Sequence, residues 1–156
     1  FEQIKDKKKD LNPLIKANSK IDFFLNSYPN SDYAMDLRFK KDLIQNQLAA
    51  KELYVAKFYI STQKWVPAIN RLKIIVEDYE KTIFIEEALH RLVEIHYHLG
   101  IEKEAKKYAK ILGYNYNSGD WFKQSYKILN KDYKISKKVE PKDDENFLKK
   151  ILKKIK

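Results

Sequence analysis

The chain contains no cysteine and very little glycine or proline, with only 3 Gly and 4 Pro among 156 residues. The absence of cysteine excludes disulfides, zinc fingers, iron–sulfur clusters and thiol catalysis. The shortage of glycine and proline disfavours β-sandwiches, β-barrels and glycine-rich phosphate loops, because all of these need turn residues. No apolar run approaches the roughly 18 residues of a membrane span. A hydrophobic content of 44% still supplies a core. The composition therefore predicts a single helix-dominated domain.

The net charge of +10 is concentrated toward the end of the chain. Residues 131–156 hold ten lysines against five acids, so this short segment carries half of the excess. Such a segment is typical of solubility or of weak attraction to anionic surfaces, and less often of specific nucleic-acid binding.

Capping residues and helix breakers divide the remaining sequence into six amphipathic segments. Asn12 and Pro13 predict the start of the first helix, since proline has no N–H to lose in a first turn. The second helix is predicted to run unbroken from Ser31 to about Gln63, with a break near Asn46 as the alternative. Pro67 is predicted to lie in the first turn of a third helix. A fourth helix is predicted between Thr82 as its N-cap and Gly100 as its stop, and a fifth from Glu102 to Leu112 with Gly113 as its stop. A sixth is predicted from its N-cap Ser118 to Leu129.

A short motif recurs where one predicted helix closes and the next opens. It reads Tyr28-Pro29-Asn30-Ser31, then Tyr79-Glu80-Lys81-Thr82, then Tyr116-Asn117-Ser118. The last two tyrosines lie 37 positions apart, close to the roughly 34-residue tetratricopeptide period. The predicted fold is therefore an all-α, tetratricopeptide-like superhelix of antiparallel helical hairpins with a C-terminal capping helix. About three hairpin units occupy residues 1–140, and residues 141–156 form a basic amphipathic C-terminal helix.

Few side chains have the spacing that catalysis or metal binding requires. His90, Glu94 and His98 follow one helical stripe, but the two histidines are about 12 Å apart by helix rise and cannot share one ion. We interpret the stripe as a solvated polar face, with a two-ligand metal site of Glu94 and either histidine as the less favoured alternative. His96 is interpreted as a core or half-buried residue. No nucleophile elbow or metalloprotease motif is present, so no enzyme, cofactor or metal site is predicted.

Three segments resemble a known family: NQLAAKELYVAKFYISTQKWVPAINRLKIIVEDY (46–79), EEALHRLVEIHYHLGIEKEAKKYAKILGYNY (86–116) and SGDWFKQSYKIL (118–129). They are similar to the BamD/ComL family of outer-membrane assembly lipoproteins, in its alphaproteobacterial form. The resemblance implies a non-enzymatic scaffold of the outer-membrane β-barrel assembly machinery at the periplasmic face of the outer membrane. It implies docking on the POTRA domains of the barrel subunit BamA, contact with other assembly subunits, and recognition of unfolded outer-membrane proteins by N-terminal repeats.

Two features of this chain depart from the family. The family is held to the membrane by an N-terminal lipidated cysteine, and neither that cysteine nor the first repeats occur here. Because the chain opens on Phe1 rather than Met, we expect a fragment. The lysine-rich segment after residue 130 is not a family feature, and the resemblance assigns it no role.

The resemblance singles out one protein-binding residue, Arg71, the arginine of the Asn-Arg pair in the third helix. A guanidinium can bind a partner carboxylate bidentately. An intramolecular pair with Glu77 or Asp78, or simple solvation, is the alternative. For the function of the whole chain, the first alternative is a generic tetratricopeptide adaptor that binds extended peptides in its concave groove. An RNA-binding protein is the less favoured alternative, and no nucleic-acid partner is predicted.

Overall fold

The computed structural model describes residues 11–130, and this part of the chain is entirely helical. Its six helices are α1 (Asn12–Ser27), α2 (Ala34–Ser61), α3 (Trp65–Asp78), α4 (Ile85–His98), α5 (Glu102–Asn115) and α6 (Asp120–Leu129). Helices α2 and α3 form one hairpin and α4 and α5 form the next, with α3 packed on α4. Helix α1 packs on α2, and α6 packs on both α4 and α5. The all-α fold of tetratricopeptide-like hairpins is confirmed.

The core lies between the hairpins, where small and large side chains alternate. Six alanines at the helix crossings are almost completely buried, which lets the helix axes approach closely. They are Ala49, Ala56, Ala68, Ala88, Ala105 and Ala109. Large aliphatic side chains on the central helices, such as Leu72, Leu89 and Leu92, fill the remaining space and are also fully buried.

Helix α2 is a single helix of 28 residues, about 42 Å long at the rise of an α-helix. The predicted unbroken helix is thus confirmed, and the alternative of a break near Asn46 is wrong. The Asn46 side chain donates to the Asp42 carbonyl at 2.9 Å and accepts from the Ile83 backbone N–H at 3.2 Å. Asn46 therefore attaches the α3–α4 loop to the middle of α2 without disturbing the helix.

The recurring tyrosine motif is a recurring piece of backbone. Tyr28, Tyr79 and Tyr116 each follow the last residue of a helix and donate a backbone hydrogen bond to the carbonyl four residues earlier. Three residues later the chain turns back, as Ser31, Thr82 and Gly119 donate their N–H groups to these tyrosine carbonyls at 3.1–3.3 Å. The repeat inferred from sequence is thus present as the same pattern of backbone hydrogen bonds at all three turns.

Three sequence-based details at the helix ends are wrong. Thr82 does not cap α4, because its hydroxyl donates to the Tyr79 carbonyl at 2.7 Å. Ser118 does not cap α6, since the N-cap residue is Gly119. Gly113 does not stop α5, which continues to Asn115. By contrast, Gly100 does end α4 with a φ of 75°, a conformation that suits glycine.

Gly113 lies inside α5 because helix α6 crosses there. A Cβ atom at this position would meet Phe122 Cε2 at 2.9 Å and the Tyr126 hydroxyl at 3.0 Å. The residue thus serves close helix packing rather than helix termination. The predicted C-terminal helix over 141–156, and with it the domain boundary at residue 140, lies outside the described residues.

Candidate protein-docking site around Arg71

Arg71 lies in the middle of α3 and faces α2. Its Nη1 atom donates to Glu52 Oε2 at 3.0 Å and to Oε1 at 3.4 Å. The alternative pair predicted with Glu77 or Asp78 is wrong, since the partner belongs to the neighbouring helix. The arginine side chain is 43% exposed and the glutamate only 20%. Glu52 therefore orients the guanidinium, while part of that group remains open to solvent.

Carboxylates dominate the surface beside this pair. Burial raises the pKa of the Tyr79 hydroxyl, and the negative charges of Asp78 and Glu52 raise it further. Glu77 and Asp78 are exposed at the end of α3. Arg71 and Lys73 are thus two partly exposed cations on the helix that ends in Glu77 and Asp78, and Arg71 is the one that a carboxylate orients.

A groove of about 640 Å³ opens between α1, α2 and the end of α3. Its walls are charged on both sides, and the Lys41–Asp22 ion pair at 2.5 Å joins α1 to α2 within it. Arg38 donates to the Pro29 carbonyl at 3.0 Å and so ties α2 to the preceding turn. Helical spacing places Arg38, Gln45 and Glu52 on the same face of α2. The groove and the Arg71 pair are therefore reached from one side of the molecule.

The interpretation of His90, Glu94 and His98 as a solvated polar stripe is wrong for His90. Its side chain is buried, its Nδ1 is 2.8 Å from Ser125 Oγ of α6, and its ring lies 5.0 Å from that of Trp121. His98 is exposed, and its ring centroid lies 4.9 Å from that of Trp65 with the two rings tilted by 55°. The sequence carried no signal for the His90–Ser125 bond, because its partners are 35 residues apart.

Ser125, His90 and Glu94 are connected in the order of a hydrolytic triad, with His90 Nε2 3.4 Å from Glu94 Oε1. The serine is completely buried, so its hydroxyl is closed to any substrate. The tautomer that satisfies all three groups has Ser125 donating to Nδ1 and Nε2 donating to Glu94. The arrangement fastens α6 to α4 and is built for packing rather than for nucleophilic attack.

His96 is buried, as predicted, and its Nδ1–H donates to the Leu92 carbonyl at 2.7 Å. Among residues 11–130, no group of three or more histidine, aspartate or glutamate side chains is placed to hold a metal ion. None of the six helices is long and apolar enough to cross a bilayer.

The Glu94 carboxylate gives the protein a testable acid sensitivity. The hydrogen bond from His90 lowers the pKa of Glu94, and burial opposes this effect by raising it. Arg91, whose Nη1 atom lies 2.6 Å from Glu94 Oε2, also lowers the pKa. A lowered folded-state pKa contributes stability above the unfolded value, near 4.5, and this stability is lost as the pH falls through the folded value.

We therefore expect wild type to be more stable than Glu94→Gln at neutral pH, and the difference to shrink steadily below the unfolded-state pKa. Urea unfolding at a series of pH values from neutral to acidic measures this difference. Lys106 and Glu102 form an exposed i, i+4 pair on α5, so Glu102→Gln serves as the control with little pH dependence of its own. A constant difference between wild type and Glu94→Gln at all pH values would refute the assignment.

Comparison with known proteins places this sequence in a family. The family model described as YfiO, outer membrane lipoprotein, matches residues 1–112. The chain is 36% identical over 141 residues to the outer membrane protein assembly factor BamD of Caulobacter vibrioides, covering 90% of this chain and 46% of that protein. It is 39% identical over 105 residues to BamD of Rickettsia prowazekii, covering 67% and 42%. BamD of Vibrio cholerae is 28% identical over 107 residues, covering 69% and 44%.

The chain spans less than half the length of these relatives. The family match nevertheless covers helices α1 to α4 and most of α5, including the Arg71–Glu52 pair. The chain belongs to the outer membrane lipoprotein family that contains the assembly factor BamD.

Proposed function

We propose that this chain is a non-enzymatic scaffold in the assembly of outer-membrane β-barrel proteins, acting at the periplasmic face of the outer membrane. In this role it docks on the POTRA domains of the barrel subunit BamA through the surface around Arg71. Family membership supports the assembly role, because the matching relatives are named as outer membrane protein assembly factors. The half-exposed, pre-oriented guanidinium of Arg71 is the observation that supports the docking position.

The chemistry of docking follows from the hydrogen bonds that Arg71 leaves unused. A guanidinium has five N–H donors, and Glu52 engages Nη1 alone. Within the described residues, Nε and Nη2 have no acceptor, so they can bind a carboxylate on a partner. Because Glu52 already fixes the side chain, binding loses less conformational entropy than it would with a free arginine.

The decisive comparison is between Arg71→Gln and Glu52→Gln, which break the same intramolecular pair. Docking through Arg71 predicts that Arg71→Gln weakens binding about tenfold or more, equivalent to about 1.4 kcal/mol. Glu52→Gln should weaken binding by clearly less than Arg71→Gln does, since it removes only the pre-orientation of a guanidinium that can still bind the partner. Calorimetric titration of each variant with the soluble POTRA region of the barrel subunit from the same organism measures both effects.

The two variants also separate docking from folding. If Arg71 acts only by holding α2 against α3, both substitutions weaken binding by similar amounts. Circular dichroism melting of each variant supplies the structural control. Equal losses in the two variants, or no binding by folded wild type, would contradict the proposal.

An adaptor for extended peptides is the second candidate, and the groove of about 640 Å³ is the observation that favours it. Gln45 lines this groove and is only half-buried. An adaptor predicts that Gln45→Trp fills the groove and abolishes binding of unfolded outer-membrane segments while POTRA binding survives. Peptide binding that is indifferent to this substitution would remove the second candidate.

A further inference from the structure

Four large apolar side chains are exposed on one edge of the two central hairpins. Val66 is 68% exposed, Tyr97 37%, Leu99 40% and Ile101 45%. We call these four residues the apolar turn patch. Val66 follows Trp65 at the start of α3, and the other three lie at the α4–α5 turn. The Trp65 and His98 rings, 4.9 Å apart, join the two turns, so the patch is continuous across the hairpins.

The side chains around the apolar turn patch that have no ion-pair partner are positively charged. Within residues 11–130, Lys64 and Lys103 flank the patch without an ion-pair partner. The neighbouring carboxylates are neutralised internally: Glu94 pairs with Arg91, Glu102 with Lys106 and Glu104 with Lys107. The edge thus presents apolar tips between unpaired lysines.

The opposite edge of the hairpins is net acidic, although it also has an exposed apolar side chain. There the end of α3 and the α3–α4 turn carry Glu77, Asp78 and Glu80 against one lysine, Lys81, and none of these four forms an ion pair within the described residues. Ile83 in the same turn is 80% exposed. The carboxylates of Glu80 and Glu86 add to the effect of burial in raising the pKa of the Tyr116 hydroxyl. The described part of the chain is therefore net acidic at this edge and net cationic beside the apolar turn patch, a charge difference which would give it a preferred orientation at an anionic surface.

We propose that the apolar turn patch rests on the surface of an anionic phospholipid bilayer. Its side chains come from two adjacent turns at the tips of hairpins, a projecting geometry that can enter a headgroup layer. Aromatic residues at the water–lipid boundary and lysines beside them are the side chains that such a boundary favours. Charge complementarity selects the bilayer as the occupant, because the unpaired lysines match anionic headgroups. This contact is separate from POTRA docking at Arg71 and does not depend on it.

The two tryptophans of the chain provide the test. Trp65 borders the apolar turn patch, whereas Trp121 packs on His90 about two helical turns away along α4. The full chain, as Trp121→Phe and separately as Trp65→Phe, is mixed with vesicles of phosphatidylethanolamine and phosphatidylglycerol whose acyl chains are brominated. We expect bromine to quench Trp65 in the first variant, and to leave Trp121 in the second nearly unquenched.

A second measurement keeps the proposal testable if either tryptophan variant misfolds. In the wild-type background, Leu99→Ser with Ile101→Ser should lower vesicle binding in a sedimentation assay by about fivefold or more, since two inserted side chains are lost. Tyr114→Ser is the matched control, because Tyr114 is exposed at the far end of α5 and should not contact lipid. The lysines of residues 131–156 remain in every variant.

Three results would overturn the proposal. They are absence of binding to the anionic vesicles, binding without quenching of Trp65, and binding that the Leu99→Ser, Ile101→Ser variant leaves unchanged. The second and third would assign vesicle binding to another cationic part of the chain. A POTRA titration without lipid reports separately on the docking site, so failure of one proposal does not imply failure of the other.

Discussion

Replacing Leu89 by alanine is expected to lower the free energy of unfolding by about 2–5 kcal/mol. Leu89 is fully buried in α4, the helix that packs on α3, α5 and α6. The substitution removes apolar contacts and leaves a cavity between the hairpins. The cavity persists because the contacts of α4 with three other helices prevent the backbone from closing it. Because domains of this size are stable by only about 5–15 kcal/mol, this single change should remove a large part of the stability.

Urea unfolding followed by circular dichroism measures the loss, and Ile83→Ala is the matched control. Ile83 has a side chain of the same size but is 80% exposed, so its truncation should change the unfolding free energy by less than about 0.5 kcal/mol. A loss at Leu89 no larger than that at Ile83 would show that the hairpins do not form one continuous core.

Gly113→Val is expected to destabilise the protein by about 1–3 kcal/mol, the usual cost of overpacking. Helix propensity alone predicts the opposite sign, since most residues are better helix formers than glycine by several tenths of a kcal/mol. The close approach of Phe122 and Tyr126 decides the outcome, because ring atoms held in the α5–α6 contact must move to admit a Cβ. The effect should be concentrated on α6.

Thermal melting and hydrogen exchange of the α6 amides test this expectation. Tyr114→Val, at the next position of the same helix, is the control, since Tyr114 is almost fully exposed. Stabilisation by Gly113→Val would mean that α6 does not pack on α5 as described.

The order and length of the helices could be predicted because the determinants are local. Pro13, Pro67 and Gly100 act through their own backbone preferences, and each marks a helix end as expected. The tyrosine turns could be found because their spacing approximates the period of a repeat. These signals depend on residues within a few positions of one another.

The wrong predictions arise where tertiary contacts override local preference. Gly113 is a helix stop by local chemistry, yet α6 uses it as a point of close approach. His90 belongs to a polar stripe by periodicity, yet Ser125 of α6 supplies its hydrogen bond and makes burial tolerable. Thr82 has a side chain that could cap a helix N-terminus, but its hydroxyl donates a hydrogen bond to the Tyr79 carbonyl in the preceding turn instead.

The candidate site was predictable only in part, for the same reason. Arg71 could be selected by resemblance, but its partner Glu52 lies 19 residues earlier on another helix. The spacing of α3 alone offers Glu77 and Asp78 as partners, and only the α2–α3 crossing brings Glu52 within 3.0 Å. Whether a charged side chain is free to bind depends on such pairings between helices, which local spacing does not encode.

Site-specific photocrosslinking tests the central claim, docking through the surface around Arg71, most directly. Asn70 precedes Arg71 and is exposed, so a benzoylphenylalanine there samples the proposed interface, whereas the same group at Tyr114 samples a remote one. We expect the Asn70 probe to form an adduct with a POTRA domain of the barrel subunit, and Arg71→Gln to reduce the yield of that adduct. Adducts from the Tyr114 probe alone, with none from Asn70, would contradict the claim.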